Sequence, residues 1–175
     1  MEPRRSPSAG DGSERGQSGE NPDVERTSHD PAAGRLGRAS GFRLCREFEQ
    51  QLPDHIVAVH EANVRLRTGR LLIPDLVVTT DVSEPLIFAA DDVLLAGEVV
   101  SSWGQARERI LKPAMYAASG IAWYLLVERD PELELVLHRR RRDGYVVHAR
   151  ARHGERLAIP YLSVDLEVDA LLRRR

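Results

Sequence analysis

The chain has 175 residues, of which 42% are hydrophobic and 30% charged. This length and composition predict one globular domain with an apolar core. The formal net charge of -2 excludes attraction to nucleic acid or anionic membrane through overall charge, and the single Cys45 excludes an internal disulfide or a cysteine-clustered zinc site.

The first 35 residues differ in composition from the rest. They are rich in Gly, Ser, Pro and charge, and Val24 is their only large apolar residue after Met1. Such a segment cannot bury enough surface to offset its ordering entropy, so we predict a disordered tail over residues 1–35 and a domain over 36–175. We find no apolar stretch of signal-peptide or membrane-spanning type, and expect a cytoplasmic protein with no membrane contact.

Periodic patterns begin near Leu36. Apolar residues at three- and four-residue spacing predict a helix that ends before Pro53, namely Phe42, Cys45, Phe48 and Leu52. Residues 55–67 alternate as in a strand, which puts His60 on the inward face as a satisfied core residue. A turn at Thr68-Gly69 then leads into a second strand over residues 71–80, followed by a polar loop.

The second half continues with a third strand over residues 93–100 and a helix that Gly120 ends. A fourth strand covers 121–128, and residues 132–150 predict a hairpin turning near Asp143-Gly144. A short strand and a helical turn close the chain. The order of elements predicts a mixed α/β (α+β) fold, with helices packed on one central sheet.

Two acids interrupt the most apolar strands. Asp75 lies within "LLIPDLVV" and Glu98 within "VLLAGEVV". Buried carboxylates on neighbouring strands repel each other, and a divalent cation such as Mg²⁺ or Mn²⁺ would hold both in ionised form. The plainer alternative places Asp75 at a strand end beside Pro74 and turns Glu98 outward. Either acid alone favours the plainer reading, whereas the two together favour the metal.

The following helix supplies a cation. Glu108, Lys112 and Tyr116 recur every four residues and so share one helix face. The pattern suits an exposed Glu–Lys pair, and it equally suits an amine held over the acids to stabilise charge on a phosphoryl group. Pro113 predicts a kink beside the lysine.

These features together resemble the Uma family of the PD-(D/E)XK nuclease superfamily. The resemblance rests on Pro74-Asp75, on the "GEVVSS" segment with Glu98 and Ser101, and on "LKPAMYAASGIAWYLLVE" with Lys112 and Tyr116. It covers the chain from about Phe42 onward. One departure is Val100, which stands where the superfamily signature has its lysine.

The resemblance implies a restriction-endonuclease-like fold and a metal-dependent endonuclease that hydrolyses DNA. Asp75, Glu98 and Lys112 would be catalytic, and Mg²⁺ or Mn²⁺ would be bound by the two acids and the backbone carbonyl of Val99. Ser101, Tyr116 and Glu47 are possible supporting residues. A homodimer is expected because related nucleases often pair to cut two strands.

Two questions stay open at this stage. Local positive charge occurs at Arg139, Arg140, Arg141 and Arg142, which either contact DNA phosphates or are merely solvated. The fold could also carry a degraded site that binds DNA or a protein without cleavage, or it could serve only to assemble an oligomer.

Overall fold

The computed structural model describes residues 31–83, 85–100, 106–129, 132–142 and 144–172. The helices are α1 (Pro31–Glu49) and α2 (Ala106–Ala118), and short 3-10 turns cover Ala90–Asp92, Pro160–Leu162 and Val168–Leu171. The strands are β1 (Val57–His60), β2 (Asn63–Arg65), β3 (Leu71–Leu72), β4 (Leu76–Thr79), β5 (Ile87–Ala89), β6 (Val93–Val100), β7 (Trp123–Glu128), β8 (Glu134–Arg141), β9 (Gly144–Arg152), β10 (Arg156–Ile159) and β11 (Val164–Glu167).

A six-stranded mixed sheet is the centre of the fold. Its order is β1-β4-β6-β7-β8-β9, and only the β6–β7 pair is parallel. The connection between these two strands contains α2, as a parallel pair requires. The predicted α+β architecture with a central mixed sheet is therefore confirmed.

Each face of this sheet has its own apolar cluster, because side chains alternate along every strand. On one face, Leu44 and Phe48 of α1 pack with Leu76, Leu95 and Leu125. On the other face, Tyr116 of α2 packs with four buried residues of the sheet and its connections, namely Val77, Ala96, Ile121 and Tyr124. The sheet thus separates the two helices.

Two smaller sheets complete the fold. β2 pairs with β3 and β5, and β10 pairs with β11. The polar loop expected after residue 80 in fact contains β5, whose Phe88 is 3% exposed and packs with Val64 of β2. Sequence alternation missed β5 because it has only three residues.

The predicted strand over residues 55–67 is two strands in two different sheets. The chain breaks at Glu61, which has a φ of 50°. The predicted second strand is likewise divided into β3 and β4, with Ile73, Pro74 and Asp75 between them. Proline cannot donate to a strand ladder, which explains the interruption.

The first helix is longer than its apolar spacing indicated. It begins at Pro31, so residues 31–35, which composition placed in the tail, are helical. Proline is favoured in the first turn because the N–H it lacks has no helical partner there. Residues 1–30 lie outside the described part of the chain, and their disorder stays a prediction.

The hairpin of β8 and β9 forms as predicted, with Arg141 opposite Gly144. Within it, the Arg140 Nε donates a 2.7 Å hydrogen bond to the carbonyl oxygen of Ala117. A cation at the last turn of a helix also interacts favourably with the helix dipole. Arg140 therefore attaches the hairpin to the C-terminal end of α2.

We predict that Arg140→Ala lowers the free energy of unfolding by about 1 kcal/mol, because the last turn of α2 loses a charged hydrogen-bond donor. Arg141→Ala is the matched control on the opposite face of the same strand, and we expect a change within about 0.5 kcal/mol. Urea denaturation of both variants measures the difference. Equal effects would contradict a capping role for Arg140.

Candidate active site

Asp75 lies immediately before β4, where the β4–β6 ladder ends at the pair Leu76 and Gly97. Its Oδ2 accepts a 2.7 Å hydrogen bond from the backbone N–H of Val99. A side-chain carboxylate thus takes the place that a backbone carbonyl of β4 would occupy if the ladder continued. On this side, the end of β6 is therefore paired with an acid instead of with a strand.

Pro74 has a matching consequence for the backbone of β6. Continuing the antiparallel register by two residues would put Pro74 opposite Val99. Proline has no N–H, so it cannot donate to the Val99 carbonyl, which points to the same side of the strand as the Val99 N–H. The Pro-Asp pair thus satisfies the N–H of Val99 and supplies no backbone donor to its carbonyl.

Glu98 points from β6 toward α2. Two residues before it, Ala96 packs in the same cluster as Tyr116, and alternation puts Glu98 on that face. Glu98 is only 7% exposed. Its Oε1 accepts a 2.6 Å hydrogen bond from the Tyr116 hydroxyl, and its Oε2 lies 3.1 Å from the Lys112 Nζ. The alternative in which Glu98 turns outward is therefore wrong.

Lys112 and Tyr116 reach Glu98 together because they are one helical turn apart on α2. The Lys112 side chain is 15% exposed, so its pairing with Glu98 is far less solvated than a surface ion pair. Pro113 lies inside the helix beside it. Burial, followed by the charge of Glu98, raises the pKa of Tyr116 well above its usual value, so the hydroxyl remains a donor.

The two acids are electrostatically coupled. Burial raises the pKa of Glu98 to about 7, Lys112 opposes this shift, and the charge of Asp75 adds to it. Burial also raises the pKa of Asp75, while the Val99 hydrogen bond and the Lys112 charge lower it. One amine therefore stabilises the ionised form of both carboxyls. Two acids on opposite faces of the sheet, or far apart, would not influence each other's pKa in this way.

His60 lies beside Asp75 and is not the satisfied core residue that alternation predicted. Its buried Nε2 has no hydrogen-bond partner among the described residues. A Cβ on Gly41 would lie 2.8 Å from this nitrogen and 3.4 Å from the Cβ of Asp75. The backbone of α1 therefore covers His60 and Asp75 directly, which no pattern in the sequence signalled.

Other predicted residues are not brought to this site. Ser101 and the side chain of Glu108 lie outside the described residues. Glu47 is on α1, where its backbone carbonyl accepts a 3.0 Å hydrogen bond from Gln51, and no contact joins its carboxylate to Asp75 or Glu98 in the described part of the chain.

The arginine run is also apart from the acids. Arg139 pairs with Trp123 at the start of β7, whereas Glu98 pairs with Leu126 nearer the end of that strand. The four arginines therefore lie toward the opposite end of the sheet. Arg139 stacks on Trp123, with its guanidinium carbon 5.5 Å from the ring centroid.

The donor set fits a hard cation such as Mg²⁺. No group of three or more His, Cys, Asp or Glu side chains that could hold a metal occurs within the described residues. Mg²⁺, however, is commonly held by one or two carboxylates together with waters and substrate phosphates. Two coupled, buried acids provide that number, and the charge of a cation would offset the repulsion between them.

Comparison with known proteins relates the chain to one family and to a solved structure. Residues 27–171 match the family described as "Uma2: Putative restriction endonuclease". A solved structure, described as a putative nuclease belonging to DUF820 from Anabaena variabilis, superposes with a TM-score of 0.58 at 15% identity, over 78% of this chain and 79% of that one. None of the curated proteins matches.

Fold and site together define a restriction-endonuclease-like α+β protein, in which an acid on β6 and an acid just before β4 lie near a lysine on α2. The chain belongs to the Uma2 family. No helix of the described residues is long and apolar enough to cross a membrane.

The raised pKa of Glu98 predicts how stability depends on pH in metal-free buffer. Between pH 4.5 and about 7, the unfolded chain has lost the Glu98 proton while the folded chain retains it. The free energy of unfolding therefore falls as pH rises through this window and levels off above it. Glu98→Gln should reduce this slope and leave only the part that the raised pKa of Asp75 contributes, which calorimetry at several pH values with a chelator present will measure.

The control for that measurement is Glu132→Gln, since Glu132 is exposed. We expect it to keep the wild-type slope. If Glu98→Gln keeps the slope as well, the Glu98 carboxyl does not titrate in the buried pairing described above.

Proposed function

We propose that the protein is a metal-dependent endonuclease that hydrolyses DNA phosphodiester bonds. The observation that carries the proposal is the Glu98 carboxylate, buried between the Lys112 amine and the Tyr116 hydroxyl and coupled to Asp75. The desolvation cost of burying two acids can exceed what their pairing with one lysine returns. Such an arrangement is typical of functional sites.

Asp75, Glu98 and the carbonyl of Val99 would hold Mg²⁺ or Mn²⁺. Such a cation would lower the pKa of a water bound to it and would neutralise part of the negative charge of the phosphate. The family assignment supports a nuclease in general. The choice of metal and the cleavage of DNA are parts of this proposal.

Lys112 has a defined task in this scheme. Its ammonium donates to Glu98 and is less than one-fifth exposed, so its charge acts in a poorly solvated pocket. When the phosphate gains negative charge in the transition state, the amine can stabilise that charge without reorganising. Lys112 would thereby take the role of the signature lysine, whose place in the sequence is occupied by Val100.

Tyr116 and Val99 position the acids. The Tyr116 hydroxyl fixes one oxygen of Glu98, and the Val99 N–H fixes one oxygen of Asp75. Each carboxylate oxygen has two lone pairs, so both acids keep acceptor capacity for a cation. These hydrogen bonds orient the acids before substrate binds.

We predict that the protein nicks supercoiled plasmid in Mg²⁺ or Mn²⁺ and that Asp75→Asn, Glu98→Gln and Lys112→Met each lower the rate at least about 100-fold. Tyr116→Phe should lower it less, since it removes a positioning bond only. Agarose electrophoresis measures the rates, with Glu132→Gln as the active control. Site variants that cut as fast as wild type would refute the assignment.

A binding module without activity remains the competing function, since Val100 replaces the signature lysine. Metal binding separates the two. A working site should raise the melting temperature when Mn²⁺ is added, and Asp75→Asn should abolish the rise. A degraded site would show no rise in either protein, although it could still bind DNA.

We also propose that the exposed arginines of the hairpin contact DNA phosphates away from the cleaved bond. Arg141→Ala/Arg142→Ala should weaken DNA binding and reduce the slope of log affinity against log salt by up to about two. Arg140 is left unchanged because it caps α2. Fluorescence anisotropy at several salt concentrations measures the slope, and an unchanged slope would assign these arginines to solvation alone.

A homodimer is the assembly we propose for the enzyme, because one site can cut only one strand at a time.

A further inference from the structure

A groove follows the outer edge of β1. It is lined by every residue from Val57 to Asn63. Successive side chains of a strand point to opposite faces, so consecutive residues line one groove only where it follows the backbone edge. One wall is α1, with Phe42, Arg46 and Glu49, and the other is the segment before β5 that contains Leu86.

This edge ends the six-stranded sheet. β1 pairs with β4 on one side, and no strand of the described residues pairs on its other side. Unpaired N–H and C=O groups along an edge form a template for another strand. The groove therefore has the backbone chemistry that strand addition needs.

The groove walls carry exposed apolar side chains. Leu86 is 91% exposed, more than any other large apolar residue of the described chain, and Phe42 is 55% exposed. One stands on each side of the β1 edge. A strand added to β1 would bring further apolar surface against both.

We propose that β1 pairs antiparallel with β1 of a second copy, which joins the two six-stranded sheets into one. The charges of the groove favour a second copy as the occupant. Arg46 and Glu49 lie one turn apart on the α1 wall. Within the described residues neither forms an ion pair, and the Glu49 carboxylate accepts only a 3.9 Å hydrogen bond from the Cys45 thiol. A two-fold axis between the two α1 helices would place Arg46 of each copy against Glu49 of the other.

This pairing gives the dimer of the proposed function a definite surface, and it does not depend on the metal chemistry. Asp75 lies one strand away from the β1 edge, because its neighbour Leu76 on β4 pairs with His60 on β1. With strands about 4.8 Å apart and rising about 3.3 Å per residue, the two Asp75 residues would lie about 20 Å apart across the axis. Both sites would open on the same face of the joined sheet.

The experiment measures the mass of the full chain by sedimentation velocity over a range of concentrations. We expect a monomer–dimer equilibrium in which Arg46→Glu or Glu49→Arg alone weakens association at least about tenfold, because each change replaces two attractions by two repulsions. The double variant Arg46→Glu/Glu49→Arg should restore it. Leu86→Asp should also weaken association, because it puts a charge where the second copy would bring apolar surface. Leu86 is 91% exposed in the monomer, so the change should not disturb folding.

Arg142→Glu at the far edge of the sheet is the charge-matched control and should leave association unchanged. A chain that is monomeric at every concentration would overturn the proposal. The groove would then bind residues 1–30 or a peptide of another protein instead of a second copy. A dimer that neither the charge reversals nor Leu86→Asp affects would overturn it too, because its interface lies elsewhere. Plasmid cleavage is not the readout, so an inactive dimer would refute the nuclease and leave the interface standing.

Discussion

The site depends on a carboxylate that the fold has removed from water. Glu98 is held by an ammonium on one oxygen and a phenol on the other, and both donors come from one helix face. Burial alone would favour the protonated acid, and the amine of Lys112 opposes it. The fold therefore positions α2 over β6 through an electrostatic contact as well as through apolar packing. Moving the helix along the sheet by one turn would leave a buried charge without a partner.

The Pro-Asp pair contributes at the adjacent strand by ending a ladder. A strand that continued past Leu76 would cover the backbone of Val99 with ordinary sheet hydrogen bonds. Asp75 instead satisfies the N–H of Val99 through its side chain. Pro74 has no N–H, so it cannot donate a hydrogen bond to the carbonyl of Val99. Two consecutive residues thus end the ladder between two central strands and put a carboxylate beside the backbone of Val99.

Much of this could be predicted from sequence, and the reasons differ between elements. The third strand, the second helix and the hairpin have strong patterns over eight or more residues, and each lies where expected. The convergence of two acids and one lysine was expected from the resemblance to the Uma family, since the helix pattern alone equally suited an exposed Glu–Lys pair. Short strands were predicted less well, since two to four residues are too few to establish a period. Alternation across Glu61 also continued through a residue with positive φ, because the pattern of side chains carries no information about φ.

The close packing of α1 was beyond the reach of sequence reasoning. Gly41 has no apolar periodicity of its own, and its importance arises only from the distance between its backbone and His60. The same holds for Arg140, which belongs to an arginine run that suggested one common role. In the structure Arg140 caps a helix and Arg139 stacks on an indole. A run of identical side chains on a strand alternates between faces, so identical residues acquire different partners.

The two outer strands of the central sheet differ in charge, and this has a consequence for assembly. The β1 edge is flanked by the exposed Phe42 and Leu86, whereas β9 carries Arg150 and Arg152 besides the exposed Val146 and Val147. Both arginines lie within ion-pair distance of Glu134 of the same chain. Like charges along an outer strand oppose the approach of an identical strand. Sheets that could extend at both ends would polymerise into filaments. Under the proposed β1–β1 pairing, the sheet extends at one end only, so growth stops after a single addition and the product is a closed dimer.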